Sequence, residues 1–494
     1  MGFNLRKPPQ LSPKMGAYPY QLDAVRAIRS FEYAAIFHEQ GLGKTKIAID
    51  LILYWLEEDL VETVFVVTKK TLVQNWIEEI AAHSHITPRT LSVNRAKNSI
   101  ALNSPVLFYV LNYEVILSNL ELMKSFLDTC RVGIILDESQ KIKNPDSNLA
   151  TCFHSIADKF ERRIIMTGTP VANRPYDIWS QIKFLDNGKV LGNSFSEFKS
   201  DFDLPPNATT KLEYGLGLSK VMGKIRQFSI RDTKRTAGLE LPDKTICIHS
   251  VKLAKRQSEI YALYRDKMAY ELQKDKGFVI DNAEDILKRL LRLVQCASNP
   301  ILVDGEYNEL PGKFTKMVEL FNEIDLKSNK VIIWSGFVEN VEWLCEKLEQ
   351  YNPQKVHGYM PVDERNESIR RFKSDDSCRI FLATPGAAKE GLTLTVANHA
   401  IFFDRSFSLD DYLQAQDRIH RISQTQICYI HNLIAKDTID EWVDMLLNAK
   451  FQAAQLTQGD ITRENFDEAF QCDLSNELQQ ILSPKAGKDT VNEA

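Results

Sequence analysis

Seven short apolar runs, TVFVV (63–67), GIILD (133–137), RIIMT (163–167), KVIIW (330–334), RIFLA (379–383), AIFFD (400–404) and ICYIH (427–431), each lead into a longer stretch with helical spacing. A strand that is apolar throughout, rather than in alternation, must be covered on both faces, and strands joined through helices run parallel. The predicted class is therefore α/β. The runs fall into two groups, one before about residue 185 and one after about 330, which predicts two sheets with a helix-rich stretch between them.

With 494 residues and 44% hydrophobic content the chain can bury more than one core. A net charge of −5 and 26% charged residues exclude a uniformly basic coat, so any polyanion must be held in a local groove. The eight cysteines form no CxxC pair and no His/Cys cluster at zinc-ligand spacing, and read as reduced thiols. No apolar run approaches the roughly 18 residues of a membrane helix, and MGFNLRKPPQ has no apolar signal core. A cytoplasmic protein with no membrane partner is expected.

The expected organisation is a first lobe over 1–190, a helical insertion over 191–240, a second lobe over 241–460 and a C-terminal extension over 461–494. The insertion carries Phe195, Phe198 and Phe202, then Lys220, Lys224, Arg226, Arg231, Lys234 and Arg235. It reads either as a small helical core with solvated charges or as one that adds a DNA-facing basic surface. LPDKT (241–245) leads into a strand, a second helical insertion is expected at about 254–306, and SPKAGKDTVNEA at the end has little to bury.

The chemistry concentrates in a few stretches. In HEQGLGKTKIAID, Gly41, Gly43, Lys44 and Thr45 follow an apolar run, Ala34 to Phe37, and open a helical pattern. That is the context of a phosphate-binding loop, in which backbone N–H groups and the helix N-terminus meet phosphates. Lys44 would reach the β- and γ-phosphates and the Thr45 hydroxyl would ligate Mg²⁺. His38 stands where the common pattern has its first glycine.

GIILDESQ places Asp137 and Glu138 at the C-terminal end of a strand, where open α/β sheets gather ligands. Asp137 suits the Mg²⁺ shell and Glu138 the polarisation of an attacking water. Upstream, Gln21 of Tyr18-Pro19-Tyr20-Gln21 either reads an adenine edge or caps a helix. MTGTP (166–170) follows another strand as a hinge candidate or a plain turn. In QAQDRIHRISQ (414–424), Arg418 and Arg421 fall three apart on one predicted helical face, either as fingers for a γ-phosphate or as solvated arginines.

The ordered set YQ, GLGKT, NWxxE (Asn75, Trp76, Glu79), NYE (112–114), DESQ-KIKN, TGTP-x-x-N, RDTK (231–234), LPDK, HG (357–358), EGLTL and QAxxRxxRxxQ resembles helicase superfamily two. Within it, the chain is similar to the SWI/SNF-type DNA-translocating ATPases, in a minimal prokaryotic or viral form, over roughly residues 15–455. The resemblance accounts for the missing glycine, since the family's loop reads xExGLGKT. It departs at His38, at Gln140 where the family most often has His, at Ser423 where it has Gly, and at RSFS (405–408) in place of a Trp-Asn-Pro element.

The resemblance implies two RecA-like lobes with an ATP cleft between them, with ATP and Mg²⁺ as cofactors. Gln21, Gly41, Gly43, Lys44, Thr45, Asp137 and Gln140 would bind the nucleotide; Lys44, Glu138, Arg418 and Arg421 would be catalytic. Segments matching the family's DNA-facing motifs contain Thr68, Lys69, Asn112, Tyr113, Trp334, Ser335, Thr384, Gly391 and Thr393. The implied partner is double-stranded DNA, with protein partners of a multi-subunit system. Three functions follow: a translocase on duplex DNA, a strand-separating DNA or RNA helicase, and an ATP-gated nucleic-acid sensor that recruits a partner.

Overall fold

The computed structural model describes residues 9–170, 176–200, 220–239, 241–274, 283–387, 393–462 and the isolated positions 217, 465, 478, 481 and 482. Phe202, the TGTP-x-x-N asparagine (Asn173), Gly391 and the segment after Ser483 lie outside the described residues. The chain divides into two compact units, one of Met1–Glu240 with Phe451–Ala469 and one of Leu241–Lys450 with Phe470–Ala494. Residues 451–460, expected in the second lobe, therefore group with the first unit. The reason is local: Leu456 is buried, and Asp460 is ion-paired with Arg231.

The first unit is built on seven parallel strands: β1 (Tyr33–Ile36), β2 (Thr63–Thr68), β3 (Arg89–Thr90), β4 (Phe108–Asn112), β5 (Val132–Asp137), β6 (Arg162–Met166) and β7 (Ser229–Ile230), in the order β3-β4-β2-β5-β6-β1-β7. Register aligns Thr68 with Asn112, Leu136 with Val67, and Asp137 with Met166, so the C-terminal ends of four strands share one edge. Every residue of β2 is buried, which is why its sequence is apolar without alternation. The helix Lys44–Glu57 lies in this core: Ile47, Ile49, Leu51, Ile52 and Trp55 are fully buried with Val64, Val66, Ile135 and Ile164. Each such side chain contributes roughly 1.5–3 kcal/mol through area removed from water.

The second unit has six parallel strands: β8 (Lys244–Val251), β9 (Val331–Trp334), β10 (Gln354–Val356), β11 (Ile380–Ala383), β12 (His399–Phe402) and β13 (Cys428–Ala435), in the order β10-β11-β9-β12-β13-β8. Alternate residues feed two cores. Ile332, Phe381, Ala400 and Ile430 pack on one face; Ile333, Leu382, Ile401 and Leu433 meet Phe314, Met317 and Leu320 of the helix Gly312–Ile324 on the other. A chain of three imidazoles crosses this sheet: His431 lies 3.0 Å from His249 and 3.0 Å from His399. Burial lowers the pKa of all three, so they are neutral at pH 7.

Both sheets are α/β and parallel, as the apolar runs predict. The structure adds β4, which the patterning did not predict, and the short strands β3, β7 and β10. In the insertion, Phe198 is buried, and the Phe195 ring stands 5.3 Å from that of Trp179. No helix among the described residues is long and apolar enough to cross a membrane.

Candidate functional site

Beyond β1 the chain turns through two residues that need positive φ, Gly41 (87°) and Gly43 (69°). A side chain at Gly43 would meet Gln21, whose Nε2 lies 2.5 Å from where a Cβ would stand. Gln21 is anchored on the loop: its amide donates to the Leu42 carbonyl at 3.2 Å, and its Oε1 accepts from the Tyr18 backbone at 3.0 Å. The Tyr20 hydroxyl donates to the same carbonyl at 3.1 Å, and the Tyr18 and Tyr20 rings stack at 5.9 Å. Lys44 opens the helix and rests its ammonium on the carbonyls of His38 (3.0 Å) and Glu39 (3.3 Å). Thr45 follows in the first turn, part-exposed.

His38 is buried, and its Nδ1 accepts from the backbone N–H of Asp232 at 3.3 Å. Its Nε2 lies 3.3 Å from Asp232 Oδ2 without hydrogen-bond geometry. Burial, with Lys44 nearby, lowers its pKa to about 4, so the ring is neutral.

Asp137 ends β5. Its Oδ2 accepts from the Trp76 indole at 2.8 Å and the Thr68 hydroxyl at 3.1 Å, and its carbonyl accepts from the Tyr113 hydroxyl at 2.7 Å. Part of the residue reaches the surface, but the carboxyl is enclosed; that enclosure, then the neighbouring Glu138, pushes its pKa up to about 6. Glu138 is held at φ 54° and ψ 50°, a left-handed conformation that is costly for a residue with a side chain. At its carboxylate, Gln140 donates to Oε2 and Lys69 stands 3.6 Å off. The Ser139 hydroxyl donates to Gln181 Oε1 at 2.6 Å, and the Gln181 amide donates to the Pro170 carbonyl at 3.2 Å. This ties DESQ to TGTP through one buried side chain. Gly168 of the same turn is approached by Gln40: a Cβ there would stand 2.5 Å from Gln40 Cγ, so a larger residue would force the Gln40 side chain to move.

The oxygen donors here, Thr45 and Asp137, suit a hard cation such as Mg²⁺ that keeps water and phosphate oxygens in its shell. Among the described residues no group of three or more His, Cys, Asp or Glu could hold a metal by itself. The donor set thus fits an ion completed by a nucleotide.

Four of the residues in the expected DNA-facing segments are turned inward. Thr68 and Tyr113 are buried against Asp137, as above. Trp334 is buried in its sheet, and Ser335 is buried with its hydroxyl donating to Asp404 Oδ2 at 2.6 Å. Thr68, Tyr113 and Ser335 spend their hydroxyls on bonds within the protein, whereas the Trp334 indole N–H is buried without a hydrogen-bond partner. Thr384 is also largely buried, Asn112 caps the helix Tyr113–Ser118 by accepting from Val115, and Lys69 stays part-exposed. The basic insertion residues Arg231 and Lys234 likewise face inward, toward Asp460 and Glu39.

In the second unit the predicted helical face for the arginine pair is not formed. The helix Leu409–Gln416 stops, and 417–423 is a run of turns. Gln424 takes up one freed carbonyl, that of Ile419 (2.9 Å), and also donates to that of Ala397 (3.0 Å), while His420 meets the distant Pro242 carbonyl at 2.9 Å. Arg418 is buried, whereas Arg421 is part-exposed and donates to the Asp417 carbonyl (2.9 Å) and to Thr393 Oγ1 (3.1 Å). In the RSFS segment, Arg405 pairs with Asp444 at 2.6 Å and lies over the Tyr412 ring. Asp404 beside it accepts from Ser298 (2.8 Å), Ser335 (2.6 Å), Asn340 (3.2 Å) and the Gly336 backbone (2.6 Å).

Sequence reading missed what holds the site: the donation of Trp76 to Asp137, and the pairing of 230–234 with the loop. NWxxE and RDTK stood out as motifs, but nothing in their spacing told which carboxylate or carbonyl they would meet.

The chain is similar to known proteins over most of its length. The model of the SNF2-related domain matches residues 20–302, and that of the helicase conserved C-terminal domain matches 312–423. An uncharacterised ATP-dependent helicase of Mycoplasma genitalium is 28% identical over 456 residues, covering 89% of this chain and 42% of its own. The chromodomain-helicase-DNA-binding protein 1-like of Danio rerio is 26% identical, covering 86% and 42%. The chain thus spans less than half the length of these relatives. The solved Sulfolobus solfataricus SWI2/SNF2 ATPase core in complex with dsDNA is 26% identical over 97% of this chain and 99% of its own, with a TM-score of 0.42.

Proposed function

The chain belongs to the SNF2-related family, and we propose that it is a DNA-dependent ATPase that moves along double-stranded DNA and displaces or remodels bound proteins without obligatory strand separation. The observation that carries this reading is the arrangement of the first unit: Lys44 and Thr45 open a helix after a loop of positive-φ glycines, and Asp137 and Glu138 end a strand of the same sheet.

Lys44 binds the β- and γ-phosphates from its seat against the His38 and Glu39 carbonyls. Gln21, held against Leu42, presents the loop's outer side to the base. Thr45 and Asp137 hold the Mg²⁺, which when bound neutralises phosphate charge. Glu138 takes the proton of the attacking water, oriented by Gln140. Arg418 and Arg421 stabilise charge that builds on the transferred phosphoryl group. Duplex DNA is met through its phosphates, by part-exposed groups such as Lys69 and Asn112, so binding weakens as salt rises. Recruitment by further protein subunits belongs to the same reading.

The test is steady-state ATP hydrolysis at low salt with no nucleic acid, duplex DNA, single-stranded DNA and RNA. Strongest stimulation by duplex, followed by triplex displacement without unwinding, is expected. Equal or greater stimulation by single strands or RNA favours the strand-separating helicase, and turnover unmoved by any nucleic acid favours the nucleotide-gated sensor.

A further inference from the structure

The phosphate loop is held along its approach by a segment about 190 residues further on. Phe37 N–H donates to the Ile230 carbonyl (2.9 Å), Asp232 N–H to His38 Nδ1 (3.3 Å), Glu39 N–H to the Asp232 carbonyl (2.8 Å), and Lys234 N–H to Glu39 Oε2 (2.8 Å). The Arg231 guanidinium donates to the Phe37 carbonyl at 2.5 Å. Residues 37, 38 and 39 are thus all set by 230–234, and the carbonyls of His38 and Glu39 are where Lys44 rests.

What sets Arg231 comes from elsewhere. Its Nε and Nη2 grip Asp460 as a fork, at 2.8 Å and 2.5 Å, with both side chains mostly buried (14% and 16% exposed). A two-point Arg–carboxylate pair fixes direction as well as distance. Asp460 reaches it because the helix Ile439–Gln458 ends at Gly459, whose φ of 76° reverses the chain. Gly459 N–H donates to Leu456 and Asp460 N–H to Gln455, a glycine-terminated helix end.

We infer that Asp460 is a positioning residue of the nucleotide site: through Arg231 it fixes the Phe37–Glu39 segment and with it Lys44. This rests on the ATP-binding reading of that loop. The residue lies outside both matched regions, 20–302 and 312–423. Removing its charge leaves the Arg231 fork without an acceptor of the right geometry, so the guanidinium no longer holds the Phe37 carbonyl in one place. Lys44 then loses its preset position, which weakens nucleotide binding and leaves the reacting groups Asp137 and Glu138 untouched.

The experiment measures nucleotide affinity with a fluorescent ATP analogue, and kcat and KM for ATP, on the full chain carrying Asp460→Asn, Asp460→Glu or no change. In Asp460→Asn the Kd and KM rise about fivefold to tenfold, the loss of one charge-assisted contact, while kcat at saturating ATP stays within about twofold. Asp460→Glu restores most of the affinity. A merely structural role gives the opposite split, since a smaller folded fraction lowers kcat and leaves KM alone; that result, or an Asn variant with unchanged Kd and KM, overturns the inference. A wild-type chain that binds no nucleotide instead overturns the ATPase reading itself.

Discussion

The indole N–H of Trp76 donates to Oδ2 of Asp137 at 2.8 Å, across 61 residues of sequence. With Thr68 it fixes which carboxylate oxygen is committed to the protein. A carboxylate held this way has its remaining oxygen fixed in direction, with Lys44 of the loop near enough to favour its charged form. Groups that orient metal ligands in this manner typically matter tenfold or more for the ion. Trp76→Phe keeps the packing and removes the donor, so the Mg²⁺ concentration for half-maximal ATPase should rise about tenfold. An unchanged Mg²⁺ dependence would show that Thr68 alone orients Asp137.

Glu138 sits in a strained backbone conformation, with Gln140 and Lys69 beside its carboxylate. Glu138→Gln removes the base and keeps the shape. Turnover should fall by about a hundredfold or more, the scale of a general base, with ATP affinity within a few-fold. Filter binding of labelled ATP beside a turnover assay checks this; turnover near wild type would remove Glu138 from the mechanism.

Arg421→Ala should lower kcat by about a hundredfold or more while leaving nucleotide affinity nearly intact, because a phosphoryl-stabilising arginine acts in the transition state. The substitution also releases Thr393. Single-turnover hydrolysis beside equilibrium binding separates the two roles: parallel losses of both would mark a structural arginine.

His38 is neutral and buried, with its pKa lowered from 6.5 to about 4. The unfolded chain therefore takes up this proton below pH 6.5, and the folded chain only near pH 4, so stability falls as pH drops through that interval. Asp232, Lys44, Arg231 and Tyr20 face the ring. His38→Gln removes a penalty on the order of 2–3 kcal/mol at pH 4, so its melting temperature should gain on wild type as pH falls from 6.5 to 4. His399 and His431 titrate with the same sign and remain in the variant. A constant difference between the two proteins across that interval would contradict the assignment.

Asp404 collects donors from Ser298, Ser335, Gly336 and Asn340 inside the second unit. Asp404→Ala strands all of them in a buried place, and should cost about 3–5 kcal/mol. Urea denaturation reads this as a lower midpoint; a loss under about 1 kcal/mol would mean that the loop relaxes to let water in.

The two parallel sheets were legible because buried parallel strands must be apolar on both sides, and the runs at 63–67, 133–137 and 379–383 are. Strands β3, β7 and β10 were not, since two or three residues carry no period. Around the candidate site, the loop glycines, Lys44 and the Asp137–Glu138 pair could be read from local pattern. The partners of Asp137 could not, because Thr68, Trp76 and Tyr113 reach it only through the order of strands. The arginine segment was misread as helix for a related reason: Gln424 satisfies the Ile419 carbonyl that a helix would have used, and His420 is drawn to the Pro242 carbonyl, a partner that only the fold brings near. Motif position also marked the segments expected to face DNA without telling which way a side chain such as Ser335 would turn.

The return of residues 451–460 to the first unit bears on how the protein is made. A ribosome adds about 5–20 residues per second, so Asp460 emerges roughly 10–40 s after Glu240. For that interval the nascent first lobe has its sheet, its loop and its Arg231, but not the carboxylate that Arg231 grips. The first unit thus waits for residues made after most of the second, and until they emerge Arg231 beside the phosphate loop lacks the carboxylate that it grips.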